Sequence, residues 1–234
     1  MNIFYEPSAG KSDIVTLDPT ESGHCIRVMR HRTGDQVEIV DGAGGRYTGQ
    51  IISEDPAACD IRVIGHERQI TQPDRKVHIG IAPTKRIDRF EWFLEKATEI
   101  GITSITPIIC SRSERTRVRA DRMHKILVSA MKQSGRAFLP QLNEPLKFEQ
   151  VINGTAPGSK FIAHCVDDDK TDLLDVAFSD EITFLIGPEG DFTEEEIRKA
   201  LQNGYLAVSM GQSTLRTETA GIMAVAAAFF KPHT

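Results

Sequence analysis

Hydrophobic positions along the chain change their period near residue 70, and that change divides the sequence in two. Up to that point the apolar residues come in short alternating runs. Val37–Val40 leads into the glycine-rich loop Asp41-Gly42-Ala43-Gly44-Gly45, Arg46–Ile52 returns from it, and Cys59–Ile64 follows, which predicts a small all-β module, a partly closed barrel. The polar stretch Gln69–Asp74 breaks the pattern and marks the expected boundary. Beyond it, Val77–Ala82 reads as a strand. Ile87, Phe90, Phe93, Leu94, Ala97 and Ile100 then fall on one helical face that Gly101 ends, and Ile102–Ile109 is a strand again. This is a β-α-β unit, and it implies a parallel sheet with a right-handed crossover.

The alternation continues to the end. A helix with Met123, Ile126, Leu127, Ala130 and Met131 inward closes on Gln133-Ser134-Gly135-Arg136. Strands are expected at Lys160–Val166, Glu181–Ile186 and Leu206–Met210, with helices at Thr193–Gln202 and from Glu218 onward. Thr193 and Glu196 have the spacing of a capping box, and Asn203-Gly204 is a C-terminal stop. Ala220–Phe230 is apolar nearly all round, so more than one of its faces needs cover. A packed core or a second copy of the chain would provide it.

With 234 residues, 40% hydrophobic and 26% charged, the chain has an ordinary globular composition. Ala220–Phe230 is its most apolar stretch, about half of what a bilayer needs. The N-terminus lacks a basic start and a long apolar centre, so a signal peptide is not expected and the cytoplasm is. Cys25, Cys59, Cys110 and Cys165 show no paired spacing and read as buried small hydrophobes. Asp167-Asp168-Asp169 reads as a solvated loop, and no metal is assigned.

Charge changes the picture more than composition does. The net charge is −5, yet residues 62–136 hold 16 basic and 8 acidic side chains, against 5 and 10 before them and 7 and 15 after. A local basic zone is what a polyanion meets. His24, Arg27, Arg30 and Arg32 alternate with apolar residues in one short span, either as a solvated helix face or as phosphate contacts. Lys85, Arg86, Arg112, Arg115 and Arg136 fall at loops and an element end of the basic zone, where arginine forks suit phosphate. The glycine loop at Asp41 lacks a following Lys-Ser/Thr and helix, so it is not a phosphate loop. The bend Ile186-Gly187-Pro188-Glu189-Gly190 ends a buried strand. Such an elbow is either an ordinary strand-to-helix turn or a ligand site at a sheet's carboxyl edge.

At that elbow and at Leu215-Arg216-Thr217-Glu218-Thr219-Ala220 the sequence resembles the SPOUT methyltransferases, specifically the ribosomal RNA small-subunit methyltransferase E family. Matches also run through His24–Arg30, Glu95–Gly101, Ser113-Glu114-Arg115 and Gln133–Arg136, nearly the whole length. The resemblance implies an α/β fold: a PUA-like RNA-binding β-barrel over 1–70 and a trefoil-knotted parallel-sheet methyltransferase domain over 75–234. It further implies a homodimer that binds S-adenosylmethionine in the knot loops and methylates N3 of a uridine in 16S ribosomal RNA. Carried over residue by residue, the cofactor positions are Ala163, His164, Ile186, Gly187, Pro188, Glu189, Gly190, Met210, Gly211, Thr214, Leu215 and Arg216. Arg216 would stabilise charge on the uracil oxygens, with Glu218 as a proton acceptor. The alternative for that pair is a salt-bridged helix N-terminus. Two departures stand out: Asp191 where the family usually has a second glycine, and Ser213-Thr214 where it usually has an arginine and a branched apolar residue. Other readings of the same fold are methylation of a different RNA or of a ribose 2′-hydroxyl, or a non-catalytic RNA-binding assembly factor.

Overall fold

The computed structural model describes residues 3–67 and 75–231, so the expected boundary at Gln69–Asp74 lies outside the described residues. By its internal contacts the chain forms two units.

The first unit holds β1 (Ile3–Tyr5), β2 (Ile14–Thr16), α1 (Pro19–Gly23), a π-helical turn (His24–Val28), β3 (Gln36–Val40), β4 (Arg46–Ile51) and β5 (Asp60–Glu67). Its sheet runs β1-β3-β4-β5-β2, antiparallel except for β1 on β3. Alternation in β4 puts Tyr47, Gly49 and Ile51 inward. A side chain at Gly49 would collide with Ile61 and Ile39, which explains the glycine at this bulge. Phe4, Leu17, Cys25, Ile39, Ile51, Cys59 and Ile61 fill the interior. The loop after β3 is held by Asp41, whose Oδ1 accepts the Ala43 and Gly45 amides at 2.7 and 2.8 Å. Val128–Leu139 belongs to this unit as well. Met131 and Ala137 join Ile3 and Val40 in a small apolar cluster, and Lys132 pairs with the buried Glu21.

The second unit contains β6 (Lys76–Ile81), α2 (Ile87–Ile100), β7 (Ser104–Ile109), the start of α3 (Ala120–Gln133), β8 (Gln141–Leu142), β9 (Leu146–Lys147) and α4 (Phe148–Ile152). It continues through β10 (Ser159–Ala163), β11 (Thr171–Asp172), β12 (Glu181–Ile186), α5 (Glu194–Gln202), β13 (Leu206–Ser209) and α6 (Thr217–Phe230). The sheet order is β11-β13-β10-β12-β6-β7-β8, with β9 also on β7, and every pairing is parallel. Ile182–Ile186 is buried without alternation because β12 is covered on both faces. One face carries α4 and α5 over Ile108, Ile162, Leu185 and Phe192. Against the sheet's β6 and β12 packs α6, which also packs on α2. Gly101, at φ 118°, ends α2 in the left-handed region that favours glycine.

One expectation is corrected here and one alternative is decided. β10 stops at Ala163, so Cys165 lies in the following loop and is exposed; the other three cysteines are buried. The basic stretch after Gly23 continues α1 as a π-helical turn, with His24 and Arg27 exposed and Cys25 buried, so it presents a solvated helical face that ends before Arg30, at φ 60°.

Candidate cofactor cleft

β13, β10 and β12 are neighbours, and parallel pairing puts their carboxyl ends at one sheet edge. Three loops leave from that edge: 164–170, 187–193 and 210–216. Between them lies a cleft of about 350 Å³, within the usual range for small-molecule sites. Of the sequence-predicted cofactor residues, Ala163, His164, Ile186, Gly187, Pro188, Glu189, Met210, Gly211, Thr214, Leu215 and Arg216 line it. Gly190 does not. It lies against the Arg112 side chain, 3.3 Å from where its Cβ would reach. The cleft also takes in Cys165, Lys170, Asp191, Thr217 and Ala220, none of them among the cofactor positions carried over from the resemblance.

The elbow is held from several sides. A Cβ on Gly187 would stand 3.1 Å from two ring atoms of the fully buried Phe192, so any side chain here would press on that ring. The Gly187 carbonyl accepts the Thr217 hydroxyl at 2.9 Å, fixing the first turn of α6 to the elbow. The Glu189 carboxylate accepts the Lys85 amide at 2.9 Å. Arg112 donates to the carbonyls of Gly190 and Phe192 at 2.9 and 3.3 Å, and Arg115 to those of Thr84 and Lys85 at 3.1 and 2.8 Å. Beyond the elbow the expected capping box is present. Thr193 Oγ1 accepts the Glu196 amide and Glu196 accepts the Thr193 amide, while the other oxygen of this buried carboxylate takes the Ser111 amide at 2.8 Å.

In the loop after β10, Lys170 donates to the carbonyls of His164 and Val166 at 3.2 and 2.6 Å. The His164 side chain has no exposed surface, and neither ring nitrogen has a hydrogen-bond partner among the described residues; Asp168 stands 3.8 Å away. Burial pushes this imidazole below its ordinary value and favours its neutral form. Asp167, Asp168 and Asp169 are exposed, and no group of potential metal ligands occurs among the described residues.

Arg216 occupies the N-cap position of α6 in an extended conformation, exposed at the cleft wall. Its guanidinium has no hydrogen bond or ion pair among the described residues. The salt pair with Glu218 is therefore not formed. Glu218 is buried, is not part of the cleft lining, and faces Arg89 of α2 at 3.8 Å. Among the expected RNA contacts, His24, Arg27, Arg30, Arg32, Lys85, Arg86 and Arg112 are exposed, and Arg115 and Arg136 are half-buried. Arg32 pairs with Glu54 at 3.0 Å, Lys85 with Glu114 at 2.8 Å and Arg86 with Asp88 at 2.9 Å.

A parallel α/β unit with a three-loop cleft at its carboxyl edge follows a β module, and comparison with known proteins makes the class an RNA methyltransferase. A family model described as an RNA methyltransferase domain matches residues 71–229, and one described as an RNA methyltransferase PUA domain matches residues 17–64. The chain resembles a solved structure of a probable rRNA-methyltransferase from Porphyromonas gingivalis, with 37% identity, TM-score 0.87, and 96% and 95% of the two chains covered. It also resembles a ribosomal RNA small subunit methyltransferase E from Neisseria gonorrhoeae solved bound to S-adenosyl methionine, at 28% identity and TM-score 0.85, covering 97% and 96%. The enzyme of that name from Synechocystis is 28% identical over 220 residues, 91% of this chain and 71% of the relative. The chain belongs to the ribosomal RNA small subunit methyltransferase E family.

Proposed function

We propose that the chain methylates N3 of a uridine in 16S ribosomal RNA, using S-adenosylmethionine held in the three-loop cleft. The observation that carries this reading is the exposed, unpartnered Arg216 guanidinium on the wall of that cleft, at the N-terminus of α6. The residues present fit the cofactor: buried ring nitrogens of His164 without partners, backbone polar groups of three loops, and both acidic and basic side chains line one cleft. Ile186, Gly187, Met210, Gly211 and Leu215 would bind the nucleoside part, with Glu189 shaping the elbow through the Lys85 amide.

When bound, S-adenosylmethionine supplies a methyl carbon made electrophilic by its sulfonium. The chain's own task is to place uracil N3 in line with that carbon, to exclude water and to favour loss of the N3 proton. A guanidinium aimed at the uracil oxygens lowers the cost of that loss, because it meets charge where the charge develops. The dipole at the α6 N-terminus has the same sign. Glu218, turned toward Arg89, we assign to positioning the first turn of α6, and the N3 proton passes to solvent.

We also propose that the β module, over 1–70, binds RNA through His24, Arg27, Arg30 and Arg32. The methyltransferase domain, over 75–234, adds Lys85, Arg86 and Arg136, and threads its three loops as a trefoil knot. Arg112 and Arg115 serve chiefly as braces of the cleft. The outer face of α6, with Met223 and Phe230 exposed, pairs in a homodimer. Gel filtration should give twice the monomer mass; a monomer would remove the dimer. No helix among the described residues is long and apolar enough to cross a membrane, and the proposed site of action is cytoplasmic.

The test is transfer of labelled methyl to small-subunit RNA or subunits that lack the mark, followed by nucleoside mass spectrometry. The expected product is 3-methyluridine. A ribose-methylated nucleoside would overturn the choice of atom. No transfer together with a flat calorimetric titration would leave an RNA-binding protein without catalysis.

A further inference from the structure

Asp191 stands in the left-handed region at φ 62°, and only Arg30 shares that feature among the described non-glycine residues. Aspartate tolerates this conformation better than most L-residues but glycine takes it at less cost, so backbone geometry alone would select glycine. The side chain accounts for the choice. The Asp191 backbone amide closes the turn onto the Pro188 carbonyl at 2.9 Å, as any residue's would. One carboxylate oxygen accepts the Phe192 amide at 2.8 Å, and the other reaches across the cleft edge to the Cys165 amide, also at 2.8 Å. Phe192 is fully buried and Asp191 lines the cleft. The carboxylate therefore spans from the elbow after β12 to the loop after β10.

We infer that Asp191 is a positioning residue of the cofactor cleft: its carboxylate latches the loop after β10 onto the elbow and holds two of the three cofactor walls in register. The inference rests on the reading of this cleft as the S-adenosylmethionine site. A carboxylate that accepts two backbone amides is held at two points, so the latch is directional. Arg112 braces the same corner from the carbonyl side, through Gly190 and Phe192, which leaves the Cys165 amide as the tie that depends on the Asp191 side chain. Without it, the loop carrying His164 and Cys165 samples open positions, and cofactor binding must first select the closed one.

Cys165 makes this measurable without turnover. It is the exposed cysteine of the chain, the other three being buried. Burial, and after it the nearby Asp191 charge, raises its thiol above the ordinary value. Asp191→Asn and Asp191→Gly both remove that charge, but asparagine keeps one acceptor oxygen and tolerates a left-handed backbone, whereas glycine keeps only the backbone freedom. A difference between the two variants therefore does not come from the charge.

Titration calorimetry with S-adenosylmethionine should show affinity weakened about tenfold in Asp191→Gly, which loses both carboxylate bonds, and about threefold in Asp191→Asn, which keeps one acceptor oxygen. KM for the cofactor should rise by a similar factor, with kcat falling less; a merely structural role would lower thermal stability and RNA affinity alike. In the ligand-free full chain, iodoacetamide should alkylate Cys165 about threefold faster in Asp191→Gly than in Asp191→Asn, a ratio of open-loop populations. Equal alkylation rates, or cofactor affinity in Asp191→Gly equal to wild type, would overturn the proposal. A flat titration of the wild-type protein with the alkylation contrast intact would remove the cofactor reading and leave the latch standing.

Discussion

Replacing Arg216 with alanine will lower kcat about 100- to 1,000-fold, the range found when one preorganised donor to developing charge is removed. Affinity for S-adenosylmethionine should change less than about threefold, because the walls of the cleft are set by backbone ties that Arg216 does not make. Those ties are the Thr217 hydroxyl on the Gly187 carbonyl, the Lys85 amide on Glu189 and the two Asp191 bonds. Arg216→Lys keeps a charge but loses the planar fork, and should retain a fraction of the activity between wild type and alanine. Single-turnover methyl transfer at saturating cofactor, with calorimetry on the same preparations, separates the two quantities. Should affinity fall in step with rate, Arg216 is a cofactor ligand and the charge-stabilising role belongs elsewhere.

The expected position of Arg216 came from a motif, but its freedom did not. In the sequence, Glu218 two residues away is the nearest partner for a salt bridge. The structure instead supplies Arg89, from a helix more than a hundred residues earlier, and packing of α6 on α2 turns Glu218 away from the cleft. Patterns of local period carry strands such as Ile182–Ile186 and caps such as Thr193 with Glu196, because those depend on neighbours in the chain. They do not carry β1 and β2, three residues each, whose pairing is set by strands far along the chain. Nor do they reveal that Arg112 and Arg115 spend their guanidinium groups on backbone carbonyls of the cleft. A basic run looks the same in sequence whether its charges face a ligand or brace a loop. Asp191 was visible only as a departure, and its meaning lies in the Cys165 amide it reaches.

Gly221 offers the largest effect on stability and tests how α6 is seated. The helix is apolar on every side, so the sequence does not say which face lies inward; the structure buries Gly221, Ala224, Val225 and Ala228. A Cβ on Gly221 would stand 2.7 Å from Phe93 Cε2, 2.8 Å from Phe93 Cδ2 and 2.9 Å from Ile81 Cδ1, all closer than real contacts allow. Phe93 and Ile81 are themselves fully buried and cannot swing aside cheaply. Two effects oppose each other in Gly221→Ala. Helix propensity favours alanine by about 1 kcal/mol, and overpacking costs about 1–3 kcal/mol. The three short contacts put this site at the upper end, so the net result should be destabilisation of about 1–2 kcal/mol. Gly221→Val adds two methyl groups at the same point and loses the propensity gain, so its cost should reach about 3 kcal/mol or more. Urea midpoints at unchanged slope measure both. Displacing α6 also displaces Arg216 and Thr217 at its start, so transfer activity should fall below what the folded fraction alone predicts. An alanine variant more stable than wild type would mean that propensity wins, and that α6 does not sit this close to α2 and β6.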